Sequence, residues 1–301
     1  MSQSTLQRNT IVGFFASIGL SLTKLGAGVW GQSSALIADA VESLADTVGS
    51  ILVWQALRVA SLPPDQKHPY GYGKAEALAS LGVGVLLVVA AIFIVVKSLH
   101  EILIPHEAPA AWTLLVLIGV VFTKEVLFRF VMQGADQFDS DAARADAWHH
   151  RSDAITSIAA LIGVSVAIWG PRWFGIPGLV FADEVAAILA SGVILMSAWM
   201  LIRPALDELL DAVAHEMVER VRTVASGVDG VREVEKVFVR KSGSGYHVDM
   251  HLHVDPEVTV RVAHALAGKV KAILKSEIPR LTGVLIHVEP QEPQQASQAE
   301  G

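Results

Sequence analysis

The chain has 301 residues, 52% of them hydrophobic and 18% charged, with a mean hydropathy of +0.48 and a formal net charge of −7. A soluble domain carries roughly a quarter charged residues, so lipid is the expected solvent for much of this one, chiefly before about residue 205. The absence of cysteine excludes disulfides and thiolate metal sites, and the mixing of basic with acidic residues, with no basic stripe, argues against nucleic acid as a partner.

The N-terminal MSQSTLQRN has no basic region followed by a short apolar run and a small-residue cleavage site. No removable signal peptide is therefore read, and the first apolar stretch is expected to be a permanent helix. A hydrocarbon core of ~30 Å takes about 20 apolar helical residues. Six stretches answer to this: Thr10–Trp30, Ser33–Ala60, Ala77–Leu103, Ala111–Met132, Asp141–Trp169 and Leu179–Ile202. The second and fifth are the least clean, because they contain ionisable residues. Arg8, Arg58, Lys67, Lys74, Arg129, Arg144 and Arg203 fall on one side of this topology, Lys97 and Arg172 on the other. The positive-inside rule then makes both termini cytoplasmic. Lys24 and Lys124 lie in or near spans and are given no role, since long stems can snorkel. Glycines in the first three spans (Gly13, Gly19, Gly26, Gly28, Gly49, Gly82, Gly84) are expected to let helices approach closely.

After the spans the pattern changes. Glu216–Ser226 has helical periodicity, Val234–Arg240 and Tyr246–Val254 alternate as strands about a Ser-Gly-Ser-Gly turn, Val258–Lys275 is an amphipathic helix, and Val284–Glu289 is a third strand. The expected fold is a membrane all-α six-helix bundle over residues 1–206, followed by a small α+β domain of order αββαβ over 207–290. Residues 291–301, rich in Gln, Glu, Ala and Pro, are expected to be disordered.

Glu42 and Asp46 stand four apart in the second span, and His149 and Asp153 four apart in the fifth. That spacing puts each pair on one helix face. Ionisable groups at membrane depth mark a pathway or a site. Brought together, the two pairs offer a tetrahedral oxygen and nitrogen shell of the kind zinc accepts. Loss of the cation would strand its carboxylates in low dielectric, and His149 is the natural proton carrier near neutral pH; the set thus suggests exchange of metal for protons. Asp39 reads as bonded to backbone or a neighbouring helix, and Asp183 is left undecided.

The segments Ser34–Asp46, His68–Ala77, Asp146–Asp153 and Val284–Pro290 together resemble the cation diffusion facilitator family over nearly the whole chain. The resemblance implies a metallochaperone-like cytoplasmic domain and a homodimeric secondary transporter that exports divalent metals, commonly by proton antiport. It also implies that Glu42, Asp46, His149 and Asp153 form the transport site. Zinc-transporting members usually have Asp or His at the first of these positions; Glu42 is longer. Asp65 and His68 match two ligands of the family's loop site, but the third position is Tyr72, whose phenol (pKa about 10) is a poor zinc ligand. Both could equally be solvated loop residues. In the tail, the family's regulatory metal positions match His251, His264, His287 and Glu289, with Asp249 a further candidate. The family's upstream His aligns with Val237. On the second tail strand, His247, Asp249, His251 and His253 share one face and Val248, Met250, Leu252 and Val254 the core face.

No G-x-x-x-x-G-K-[ST] loop and no H-E-x-x-H helix occurs, so neither ATP drive nor an intramembrane zincin is expected. The chain reads as a non-enzyme without catalytic cofactor: an integral multi-pass protein, expected in a bacterial inner membrane, taking a divalent metal (zinc favoured) as substrate and regulator, with protons, lipid and a second copy as partners. The competing reading is a membrane-anchored metal sensor or scaffold without transport; an intramembrane hydrolase using His149 and Asp153 ranks last.

Overall fold

The computed structural model describes residues 3–104, 108–138 and 141–291, with side chains for 14–104, 108–133, 147–148 and 150–291. Six long helices come first: α1 Gln3–Trp30, α2 Ser34–Ala60, α3 Ala75–Leu103, α4 Trp112–Phe138, α5 Asp141–Phe174 and, after a 3-10 turn at Pro177–Phe181, α6 Ala182–Leu209. The shortest has 27 residues, about 40 Å of helix, more than the ~30 Å hydrocarbon core requires. By hydropathy alone, three described segments are apolar and long enough to cross a membrane: Ala75–Leu103, His150–Phe174 and Pro177–Leu209. Of the other helices, α2 carries Asp39, Glu42 and Asp46 and α4 carries Lys124, Glu125 and Arg129, which lower their hydropathy without shortening them, and α1 offers a shorter apolar stretch, Phe14–Trp30, among the described residues. The stretch expected to be disordered falls, from residue 292 on, outside the described residues.

The chain divides into two compact units, Met1–Leu52 with Ser80–Ile202 and Val53–Ala79 with Arg203–Gly301. In the first, α1 turns into α2 through Gln32 at φ 52°. Ser33 caps α2, its hydroxyl accepting from the Leu36 N–H at 3.1 Å. The buried Asp183 of α6 closes the same end: one carboxylate oxygen accepts from the Ser33 hydroxyl at 2.7 Å and from Ala35 N–H at 3.3 Å, the other from Ser34 N–H at 2.5 Å. An anion on unsatisfied N–H groups at a helix start is favourable, which gives Asp183 the role the sequence left open. Among the glycines, a Cβ at Gly28 would crowd Ile37, and one at Gly84 would collide with Ile202 of α6; Gly19 and Gly82 have nothing within 4 Å. Close approach is used at some of the expected positions and not at others.

In the second unit α7 (His215–Ser226), β1 (Glu233–Ser242), β2 (Gly245–Val254), α8 (Val260–Glu277) and β3 (Leu281–Pro290) follow the expected αββαβ order. The sheet order is β1-β2-β3; β1 pairs antiparallel with β2, and β2 parallel with β3 by way of α8. The hairpin turns at Gly243 and Ser244, Gly243 taking φ 58° as a tight hairpin turn requires. Val248, Met250, Leu252 and Val254 are all buried against Val221, Val270 and Leu274 from α7 and α8. The α2–α3 loop belongs to this unit: Lys74 pairs with Asp211 at 2.8 Å, Arg240 lies 5.4 Å over the Tyr70 ring, and Tyr70 meets His247 edge-on at 5.9 Å.

Candidate functional site

In the bundle, α2 and α5 pass each other in opposite directions. Ala35 and Leu36 cluster with Ala160 and Val164, and Asp39 accepts from the Ser157 hydroxyl at 2.8 and 3.1 Å. Moving forward along α2 and backward along α5 therefore leads from these contacts to Glu42 and Asp46 on one side and Asp153 on the other. Glu42 is half-buried and feels the charges of Asp46, Asp39, Asp153 and Lys24. With Asp39 it lines a cavity of about 200 Å³ beside Thr156, Ala160 and Ala190. Glu42, Asp46 and Asp153 do not bring three ligand atoms within 4.8 Å of one another among the described residues, and the His149 side chain lies outside them.

Lys24 and Lys124, given no role by the sequence, are both buried in ion pairs. The Lys24 ammonium lies 2.8 Å from Asp39 and donates to the Ser43 hydroxyl at 3.0 Å. Lys124 donates to Asp153 Oδ2 at 2.6 Å and to the Ser17 hydroxyl at 3.2 Å. Snorkelling fails as an account because these ammonium groups point into the bundle at 0 and 1% exposure.

In the α2–α3 loop, Asp65 and His68 adjoin, 3.4 Å apart, but the Asp65 carboxylate is already engaged. The Tyr72 hydroxyl donates to one oxygen at 2.7 Å, and His68 and Lys67 N–H donate to the other at 2.6 and 2.9 Å. The Tyr72 hydrogen bond, followed by that from His68 N–H, holds the Asp65 carboxyl below its usual range, and the same bond pushes the Tyr72 phenol up. Where the family pattern expects a third ligand, this chain places a donor that occupies the carboxylate.

The tail places a denser group on the open face of the sheet. His251 Nδ1 lies 2.7 Å from Glu289 Oε1, His287 Nε2 3.3 Å from the same oxygen, and His253 Nε2 3.4 Å from Oε2. Glu235 of β1 approaches His251 at 3.6 Å and His253 at 3.7 Å. Ligand atoms of Glu235, His253 and Glu289 all fall within 4.8 Å of one another, a set of oxygen and nitrogen donors suited to zinc and its neighbours. Burial works to raise the Glu289 carboxyl, but the His251 hydrogen bond and charge, with His253 and His287, carry it net below its ordinary value. Glu235 and His253 were not among the metal positions the sequence suggested. Glu235 occupies an irregularity in the β1–β2 register between Val234 and Val237, which strict alternation does not reveal. Val237, aligned with the family's upstream His, is a core residue. His264 is exposed on α8 and lines a groove with Glu289 and Ile286; Asp249 pairs with Phe238 and Leu285, two residues before His251 on β2.

The model of the cation efflux transmembrane domain matches residues 10–210, and that of the cation efflux protein cytoplasmic domain matches 213–291. The chain is 31% identical to the manganese efflux system protein MneP of Bacillus subtilis, over 93% of this chain and 94% of that protein. It is 32% identical to metal tolerance protein C1 of Arabidopsis thaliana, over 93% of this chain and 61% of that protein, and 30% identical to the magnetosome protein MamB of Magnetospirillum gryphiswaldense, over 92% and 91%. A solved MamM CTD is 33% identical across 26% of this chain and 96% of its own, with a TM-score of 0.25. Two domain models that together span most of the sequence, joined to a bundle with paired intramembrane carboxylates and a sheet with clustered imidazoles, make the chain a member of the cation efflux family of multi-pass membrane metal transporters.

Proposed function

We propose that this chain exports a divalent transition metal from the cytoplasm in exchange for protons, with zinc the favoured cargo. Glu42, Asp46, His149 and Asp153 hold the ion, and rocking of the helices exposes them to each side in turn. The protein acts as a homodimer in a bacterial inner membrane, both termini cytoplasmic, and metal on His251, His253, His287, Glu235 and Glu289 biases one dimer arrangement by differential affinity. His264 and Asp249 belong to the same regulatory surface, whereas Asp65 and His68 serve the loop's own structure. The observation that carries the transport reading is the antiparallel passage of α2 and α5, with Asp39 bonded to Ser157 and Glu42 within the field of Asp153. The test is zinc uptake into inside-out vesicles under a proton gradient: Asp46→Ala and Asp153→Ala should each abolish it, and retention in both would overturn the reading.

A second reading, a membrane-anchored metal sensor or scaffold, draws on the tail cluster, whose ligand atoms meet the distance requirement of a metal site. It predicts that removal of the chain after about residue 205 abolishes all tight metal binding. The transport reading predicts that a tight site persists in the bundle.

A further inference from the structure

We propose that Lys124 is a tethered competitor for the cargo ion at Asp153. The inference rests on the transport reading of Asp153 and deepens it. Lys124 lies near the midpoint of α4 (Trp112–Phe138), its ammonium turned into the bundle. Its ammonium holds Asp153 Oδ2 at 2.6 Å and also reaches Ser17 on α1 at 3.2 Å. Lys124 is 1% exposed and Asp153 7%, so little water screens the pair.

A metal takes a carboxylate oxygen at about 2.0–2.2 Å. With the ammonium still on that oxygen, two cations would stand within roughly 4 Å of each other in low dielectric, a strongly repulsive arrangement. The two therefore exclude one another at Asp153. As metal arrives the ammonium shifts toward Ser17, which already accepts from it; as metal departs it returns, and the carboxylate is never stranded. The charges agree. Glu42, Asp46 and Asp153 with one ammonium and one divalent ion sum to zero, whereas the same carboxylates without Lys124 would keep the loaded site negative. Removing Lys124 should thus deepen the well for metal and slow its release.

Lys24 does not share this role. Its partner Asp39 is engaged by Lys24 and by the Ser157 hydroxyl shared between its two oxygens, and Lys24 is itself bonded to Ser43. That pair fixes α1, α2 and α5 together. Lys124 is a positioning residue, acting on cargo through Asp153.

The experiment uses the full chain in proteoliposomes with Zn²⁺ as probe. Lys124→Gln should lower KM at least roughly tenfold, as loss of a charged competitor in low dielectric implies, and lower kcat. Lys124→Arg, which keeps a cation on Asp153, should return KM toward the parent value. An unchanged or raised KM in Lys124→Gln, or a drop of the same size in Lys124→Arg, overturns the proposal. Because the Gln variant loses a buried partner, a second measurement covers impaired folding or insertion. In a Glu235→Ala, Glu289→Ala background, which disables the tail cluster, the zinc-induced rise in melting temperature should be larger with Lys124→Gln than with Lys124; an equal or smaller rise also overturns it. Transport that survives Asp153→Ala would defeat the transport reading itself. Transport lost in Asp153→Ala with KM unmoved in Lys124→Gln would defeat only the role of Lys124.

Discussion

In the bundle, Asp39 and Asp153 are held by Lys24 and Lys124 at 2.8 and 2.6 Å, all four residues buried. In the tail, Glu289 is held by His251 at 2.7 Å with His253 and His287 close by, all within reach of water. Both regions gather carboxylates against nitrogen, but the nitrogen differs. An ammonium offers a buried carboxylate a counter-charge that does not itself bind metal. An imidazole is itself a metal ligand and can shed its proton near neutral pH, which suits a site where water tolerates either state. In these two clusters the buried acids meet ammonium groups and the partly exposed acid meets imidazoles.

The sharpest way to break this contrast is to remove one member of a buried pair. Asp39→Ala removes the carboxylate paired with buried Lys24, and should destabilise the protein by about 3–5 kcal/mol, measured by denaturant unfolding in detergent. Lys24→Met combined with Asp39→Leu should cost far less; equal losses would mean that charge pairing is not what the bundle needs there. On β2 the two faces can be set against each other. Leu252→Ala should cost about 2–5 kcal/mol through a core cavity, whereas His253→Ala, one residue on and partly exposed, should cost about 1 kcal/mol without metal. Zinc at a hundred times its dissociation constant should stabilise the tail by about 2.7 kcal/mol, seen as a melting shift reversed by chelator and absent in Glu235→Ala, Glu289→Ala.

The smallest expected effect is optical. Asp65 is lowered, so its contribution to the loop is present above its ordinary 3.8 and lost as pH falls through the lower folded value. Tyr72 is raised, so its contribution is present below 10.0 and lost as pH rises through the higher folded value. With three tyrosines in the chain, absorbance titration should show Tyr72 ionising late, and Asp65→Ala, which removes the acceptor, should abolish the delay.

Much of the architecture was legible because its signals are local. The alternation of β2 named both its faces, and the apolar runs marked long helices even where Glu42 and Asp153 interrupt them. What escaped depends on contacts between distant segments. A lysine in an apolar run usually snorkels, and only the packing of α1 and α4 beside α2 and α5 shows that Lys24 and Lys124 turn inward. Glu235 reaches the imidazoles from a register irregularity that cross-strand pairing alone reveals. Asp183 could be understood only once α6 was seen to start beside the first turn of α2.

That last contact has a mechanical corollary. A rod pinned at one end moves least at the pin. With α2 anchored through Ser34 to Asp183, a swing of about 10° would displace backbone near Asp39 by only about 1 Å, near Glu42 by about 2 Å and near Asp46 by about 3 Å, from a rise of 1.5 Å per residue. On the proposed transport reading, such a swing would grade the acids of α2: the one nearest the fulcrum would keep its bond to Ser157, and the one farthest away would travel most.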